Sequence, residues 1–414
     1  MTDRTILLIG TYDTKNAELE FVAQTIRDQG GTVQSMDVSV LGDPERSTDI
    51  SKHDVAKAAG SSIAEAIASE DENTAMQIMA RGAAQLAAKA QMGGHIHGVL
   101  VLGGTMGTDV ALDVCAALPL GVPKYIVSTV SFSALIPPDR LAADVQMILW
   151  AGGLYGLNDI CKASLSQAAG AVLGAARAVK NPTNKRPVIG MTSFGKTVLR
   201  YMVPLKPALE ARGFDVAVFH ATGMGGRAFE SLAAQGAFAA VMDFAPQEVS
   251  NHLMGSTLSA GAARMTAAGL AGIPQLVSFG CYDLVDFVGW QDPPPALAGQ
   301  ELHAHNRLLS SVLLNADQRR SVARTICEKL ATAQGPVTAL LPLQGCNEWD
   351  RPEGPLHDAD GLAAFIDEMR AYCPTTVEMV EINGHINDEV FAQNALRCLD
   401  AWIASGMIDV NTTG

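Results

Sequence analysis

The stretch from His220 to Arg227 combines, within eight residues, several side chains that could do chemistry. An apolar run, Val216 to Phe219, precedes it, and a helical pattern follows it. Histidine exchanges protons near neutral pH, arginine binds anions, and a glycine loop at the start of a helix offers free backbone N–H groups. We therefore predict a catalytic role for His220, although a tight turn without a ligand is the alternative. The residues predicted to bind substrate here are Thr222, Gly225, Gly226 and Arg227.

Three further residues in the second half of the chain are candidate acids or bases. Glu248 and Asp283 each follow an apolar run that predicts a strand, and His385 lies between the last predicted strand and the final helix. Carboxyl and imidazole groups at strand ends are well placed for general acid–base catalysis. We predict that Glu248, Asp283 and His385 are catalytic. For His385, the alternative is that Asn387 or Asp388 merely caps the helix.

His303 and His305 lie in a segment that we expect to begin a helix. Imidazoles two residues apart diverge on a helix, but together with Asp283, Asp286 or His252 they could hold a metal ion. The alternative is that both histidines are exposed residues at a helix start.

The first half of the chain carries its own glycine loop after a buried strand, Gly103-Gly-Thr-Met-Gly-Thr108. Glycines there allow an oxyanion to approach the backbone, and Thr105 and Thr108 add hydroxyl donors. In the loop after the first strand, Asp13 could contact a ribose hydroxyl or a metal ion, and Lys15 a phosphate. Neither Gly-x-x-x-x-Gly-Lys-Ser/Thr nor Gly-x-Gly-x-x-Gly occurs, so a plain turn is the alternative.

The elements that must position these loops alternate between strand and helix. Short apolar runs end in polar or glycine loops and are followed by patterns with helical periodicity, and the second half repeats the order of the first. We predict an α/β protein with two consecutive Rossmann-like domains, residues 1–182 and 183–414. The polar, proline-bounded segment 180–187 would link them.

Composition narrows the class of protein. Of 414 residues, 48% are hydrophobic and 17% charged, and the formal net charge is −14. Such an acidic chain is unsuited to nucleic acid or anionic membranes. The chain has seven cysteines and no Cys-x-x-Cys pair, and it contains no apolar stretch of about 18 residues. We expect a cytoplasmic protein with reduced thiols, no signal peptide and no membrane span.

Several motifs resemble a known family. They are Gly10-Thr-Tyr-Asp-Thr-Lys-Asn-Ala-Glu-Leu19, Gly103 to Thr108, Phe219 to Ala228, Ser259-Ala-Gly261, Gly272-Ile-Pro274 and His385-Ile-Asn-Asp388. Over nearly its whole length the chain is similar to uncharacterised protein family 0261, which is related to the ATP-binding N-terminal domain of the tomato mosaic virus resistance protein of tomato. The resemblance implies two Rossmann-like domains, a homodimer and ATP binding, with or without Mg²⁺. The residues it implies for ATP are Asp13, Thr14, Lys15, Arg81, Gly103, Gly104 and Thr105.

Together, the residues and the resemblance favour an ATP-binding protein of bacterial small-molecule metabolism. It would act on an organic or sugar acid held in an anion-binding cleft of the second domain. A nucleotide-dependent regulatory protein without turnover is one alternative, and a metal-dependent hydrolase or lyase is another.

Overall fold

A computed structural model describes residues 4–179, 186–195 and 198–410. The chain divides into two compact units, residues 1–181 (unit 1) and 182–414 (unit 2). Most of the linker predicted at 180–187 lies outside the described residues.

The described part of unit 1 contains five strands and six α-helices. The strands are β1 (Thr5–Gly10), β2 (Thr32–Asp37), β3 (Gly98–Gly103), β4 (Lys124–Ser128) and β5 (Val145–Leu149). The helices are α1 (Asn16–Asp28), α2 (Lys52–Ala58), α3 (Ile63–Ala68), α4 (Glu72–Met92), α5 (Thr105–Ala117) and α6 (Asp159–Ala178).

The five strands of unit 1 form one parallel sheet in the order β2-β1-β3-β4-β5. Every residue of β3 is buried, as expected for a strand covered by helices on both faces. The order reverses between β1 and β3, so the connections from these strands leave in opposite directions. This divergence leaves a crevice beyond their carboxyl ends, the place where open α/β sheets bind ligands.

The described part of unit 2 contains nine strands and seven α-helices. The strands are β6 (Val188–Ser193), β7 (Asp215–His220), β8 (Ala240–Asp243), β9 (Gln275–Val277), β10 (Leu284–Val288), β11 (Leu302–Ala304), β12 (Leu309–Leu313), β13 (Val337–Pro342) and β14 (Val377–Ile382). The helices are α7 (Met202–Ala211), α8 (Met224–Ala234), α9 (Gln247–Leu253), α10 (Ala267–Leu270), α11 (Ala316–Leu330), α12 (Ala359–Tyr372) and α13 (Glu389–Ala404).

Unit 2 repeats the architecture of unit 1 and adds an insertion. Six strands form a parallel sheet in the order β14-β13-β9-β8-β6-β7, and β10, β12 and β11 form a separate antiparallel sheet between β9 and β13 in sequence. Two parallel α/β units confirm the predicted fold class. Among the described residues, no helix is both long and apolar enough to cross a membrane.

The prediction that a helix begins around His303 and His305 is wrong. His303 lies in β11 and pairs with Ser311 of β12, so backbone hydrogen bonds across an antiparallel ladder replace those of a helix. The segment is too short to show a clear period in sequence, and its pairing partner lies beyond a turn.

Candidate functional site

A cavity of about 550 Å³ opens in unit 1 at the crevice between β1 and β3. We call it the N-terminal cavity. The loop after β1 forms one side, the loop from β3 into α5 forms the floor, and α3 and α4 form the opposite side. Six of the seven residues predicted for ATP line it: Asp13, Thr14, Lys15, Gly103, Gly104 and Thr105.

The floor of the N-terminal cavity is a helix start that no side chain caps. Gly104 is the N-cap residue of the 13-residue helix α5, and the first turn carries no acidic residue. The first N–H groups of a helix have no partner within it, and together with the helix dipole they favour an anion. A Cβ on Gly103 would lie 2.4 Å from the Cα of Gly107, so only glycine allows this close turn.

Lys15 and Asp13 complete the side of the cavity next to the floor. The Lys15 ammonium lies 3.3 Å from the hydroxyl of Thr14, and it forms no salt bridge with any described carboxylate. One Asp13 oxygen accepts a hydrogen bond from the Gly42 N–H at 3.2 Å, whereas the buried Oδ1 has no described partner. The cavity therefore offers a cation for phosphate and an acceptor for a hydroxyl group or a metal ion.

The wall of the N-terminal cavity that α3 and α4 form is partly apolar and partly acidic. Ile67 and Met76 present apolar surface, whereas Glu70 and Glu72 are acidic. Oxygen donors of this kind, together with Asp13, are the ligands that Mg²⁺ prefers. Arg81 has an exposed side chain in the middle of α4 and is not among the residues that line the cavity.

The glycine loop of unit 2 is occupied by an internal side chain, that of Glu248. The N–H groups of Gly223 and Gly226 both donate to Oε1 of Glu248, the second at 3.1 Å. A Cβ on Gly226 would lie 1.8 Å from Oε2 of the same carboxylate. An internal carboxylate thus fills the position that a bound anion would take, and Arg227 donates to the carbonyl oxygen of Ser259.

Glu248 is buried and forms an ion pair with Arg264. A carboxylate held in this way has no access to a substrate or to solvent, which does not favour a role in proton transfer. Its Oε2 accepts a hydrogen bond at 2.7 Å from Nε of Arg264, and both side chains are completely buried. Burial raises the pKa of Glu248, and the positive charge of Arg264 opposes that shift. Arg264 also contacts the carboxylates of Asp243 and Glu230, so it is the hub of a buried charge network that the sequence analysis missed.

Asp283 and His385 belong to a second buried cluster, built on the loop after β13. The side-chain amide of Asn347 donates to both oxygens of Asp283 at 3.1 Å. The backbone carbonyl oxygen of Asn347 lies 2.8 Å from Nε2 of His385. Nε2 of His385 also lies 2.9 Å from Asp350. Both predicted catalytic side chains are therefore held by protein partners, with 1% exposure each.

His220 and Thr222 border a separate cavity of about 500 Å³ in unit 2, which we call the C-terminal cavity. It lies where the loops after β6, β7 and β13 approach the antiparallel insertion. Asp286 and His305, two residues considered only as metal ligands from sequence, line it as well. Thus, of the eight residues predicted as catalytic or substrate-binding, only His220 and Thr222 reach this cavity.

Two family models cover almost the whole chain. One, described as the N-terminal domain of an uncharacterised protein family (UPF0261), matches residues 4–181, and the C-terminal domain of the same family matches residues 186–403. The chain belongs to the UPF0261 family.

Relatives of this UPF0261 chain align along nearly all of its length. A UPF0261 protein of Brucella melitensis is 51% identical over 403 residues, covering 97% of this chain and 96% of the relative. One from Clostridium tetani is 33% identical, covering 94% and 96%. The ToMV susceptible protein tm-1(GCR26) of Solanum lycopersicum is 28% identical, covering 94% of this chain and 54% of the tomato protein.

Proposed function

We propose that this UPF0261 protein binds ATP in the N-terminal cavity. The observation that supports the proposal is the uncapped start of α5 at the crevice between β1 and β3, with the Lys15 ammonium beside it. The phosphates would lie against the N–H groups after Gly104, because helix N-termini and glycine loops favour phosphate oxygens. Lys15 would then neutralise part of their charge.

In this proposal the remaining walls bind the rest of the nucleotide. Asp13 would accept a hydrogen bond from a ribose hydroxyl or hold Mg²⁺ through its unpartnered Oδ1. The apolar surface of Ile67 and Met76 suits the base. Mg²⁺ would also offset repulsion between the phosphates and the acidic residues Glu70 and Glu72. In line with the family resemblance, we propose a cytoplasmic homodimer; light scattering coupled to gel filtration would test whether the protein is a dimer.

Gly104→Ala is the sharpest test of ATP binding. The nearest atom to an added Cβ is the Thr129 hydroxyl at 3.8 Å, so the substitution fits the fold but places a methyl group on the loop. Calorimetric titration with Mg-ATP should show binding to the wild-type protein and at least tenfold weaker binding to the variant. Gly174→Ala, on the exposed side of α6 with no atom near the added Cβ, is the matched control. Equal affinity in all three proteins would contradict the proposal.

We further propose that ATP binding serves an enzyme of small-molecule metabolism. The observation that favours an enzyme is the C-terminal cavity, where the imidazoles of His220 and His305 lie near a buried carboxyl group, that of Asp286. The regulatory alternative makes a different prediction: ATP would raise the melting temperature, but no ADP would form with any small-molecule substrate. Measuring both melting temperature and ADP release separates the two functions.

A further inference from the structure

The floor of the C-terminal cavity carries a carboxyl group with an unused hydrogen-bonding oxygen. Asp286 is 3% exposed, and its Oδ1 accepts a hydrogen bond at 2.5 Å from the hydroxyl of Ser311, directly across the ladder between β10 and β12. Its Oδ2 has no partner in hydrogen-bond geometry among the described residues, and the buried amide of Gln247, whose nitrogen and oxygen also lack one, is a side-chain hydrogen-bonding group beside the same carboxyl group. Buried polar atoms are normally satisfied, so Oδ2 can accept a further hydrogen bond, from the Gln247 amide or from a ligand that enters the cavity.

The rim of the same cavity carries groups that both donate and accept hydrogen bonds. His220 and His305 are exposed at the mouth, each beside an aromatic ring. His220 meets Phe194 edge-to-face at 5.6 Å, and the His305 ring lies 6.0 Å from that of Trp349. A ligand between them would contact apolar ring faces and, at its edges, polar nitrogen atoms. Pockets of this mixed character and size bind small molecules.

The charges at the cavity disfavour an anionic ligand. No lysine or arginine is among the described lining residues, whereas two carboxylates, those of Asp286 and Glu348, are. Glu348 is already paired with Arg200 at 3.0 Å, so Asp286 is the acceptor that remains. An anion would therefore be repelled by the Asp286 carboxylate.

We propose that the C-terminal cavity binds a neutral polyhydroxylated small molecule, one of whose hydroxyl groups donates to Oδ2 of Asp286. A hydroxyl group is small enough to reach the floor of the cavity, and it can donate a hydrogen bond to Oδ2. Further hydroxyl groups would bond to the imidazoles of His220 and His305 at the rim, and the carbon chain would lie along Trp349. This inference rests on the enzymatic function proposed for the C-terminal cavity, whereas binding of the ligand does not require ATP in the N-terminal cavity.

Two probes with the same five-carbon chain test this proposal. Xylitol is neutral, whereas D-xylonate carries a carboxylate in place of one terminal CH₂OH group. Saturation-transfer NMR on the full-length protein should detect xylitol binding, with a dissociation constant at least fivefold higher for Asp286→Asn and His305→Ala. His305 is exposed, so its variant remains informative even if Asp286→Asn loses stability. Asp317→Asn is the control, since that side chain is 94% exposed on α11.

Each contrary outcome overturns the proposal. Tighter binding of D-xylonate than of xylitol would restore the anion-binding cleft expected from sequence. If the wild-type protein does not bind xylitol, or if all variants bind it equally, the proposed polyol site does not exist. Titration of Asp286→Asn with Mg-ATP keeps the two proposals distinguishable, because its affinity for ATP should match that of the wild-type protein whatever xylitol does.

Discussion

Glu248 and Arg264 form an ion pair at 2.7 Å with both side chains completely buried. The pair links the glycine loop of unit 2 to the sheet, because Glu248 accepts the loop N–H groups and Arg264 holds Asp243 at the end of β8. The glycine loop is therefore held in place by an internal anion.

Replacing Arg264 with methionine should strongly destabilise unit 2. The substitution keeps most of the volume but leaves the carboxylates of Glu230, Asp243 and Glu248 without their common partner. Removal of one partner of a buried ion pair costs about 3 to 5 kcal/mol. The free energy of unfolding from urea denaturation is the measurement, and Arg320→Met, at an exposed site on α11, is the control. A loss below about 1 kcal/mol would show that the network contributes little to stability.

The same variant should show a changed dependence of stability on pH. Burial already raises the pKa values of Glu230 and Glu248 in the folded protein, and Arg264 opposes the shift in both. Without that charge the folded-state pKa values rise further, so the folded protein binds protons more readily than the unfolded chain does. Stability then falls as pH rises through these pKa values. The difference from the wild-type free energy of unfolding should thus be larger at pH 8 than at pH 5; equal differences would argue against buried, ionised carboxylates.

Two glycine-to-alanine substitutions should change stability in opposite directions. At Gly226 the added Cβ would lie 1.8 Å from Glu248, so Gly226→Ala forces the carboxylate and loop apart. We expect a loss of about 1 to 3 kcal/mol, the usual range for overpacking. At Gly174 in α6 the Cβ meets no atom within 4 Å, and Gly174→Ala should stabilise by up to about 1 kcal/mol through helix propensity. Thermal denaturation of both variants checks the signs, and a neutral Gly226→Ala would refute the packing argument.

The fold, and which loops line the N-terminal cavity, could be predicted from the sequence because both depend on local patterns. Apolar runs that end in glycine loops place the segments after β1 and β3 at one sheet edge, and the N-terminal cavity lies there. The contacts of the glycine loop and the lining of the C-terminal cavity in unit 2 could not be predicted in this way. The partner of its glycine loop, Glu248, lies more than 20 residues beyond the loop. Asp286 and His305 reach the C-terminal cavity only through the pairing of β10, β11 and β12.

Removal of the Lys15 charge should weaken ATP binding without affecting the fold. Its ammonium contacts only hydroxyl groups among the described side chains, so Lys15→Ala breaks no ion pair seen there. A hydrogen bond to a charged group contributes about 1.5 to 3 kcal/mol, which corresponds to a loss of roughly 10- to 100-fold in affinity. Lys89→Ala, at an exposed position of α4, is the control. Calorimetric titrations with Mg-ATP at low and high salt should show the largest difference at low salt, and equal affinities would exclude a phosphate contact by Lys15.

Chelation should leave unit 2 unchanged, although Asp283, Cys346 and Asp350 lie close enough to hold a metal ion. The oxygens of Asp350 are used by the Cys346 and Asn347 N–H groups and by His385, and Asn347 donates to both oxygens of Asp283. Burial, followed by the charge of Asp283, raises the pKa of the Cys346 thiol and so disfavours the thiolate that a metal would need. We therefore expect the same melting temperature before and after EDTA treatment, and no rise with added Zn²⁺. A metal that copurifies in stoichiometric amount, and whose removal lowers the melting temperature, would instead support a metal-dependent hydrolase or lyase.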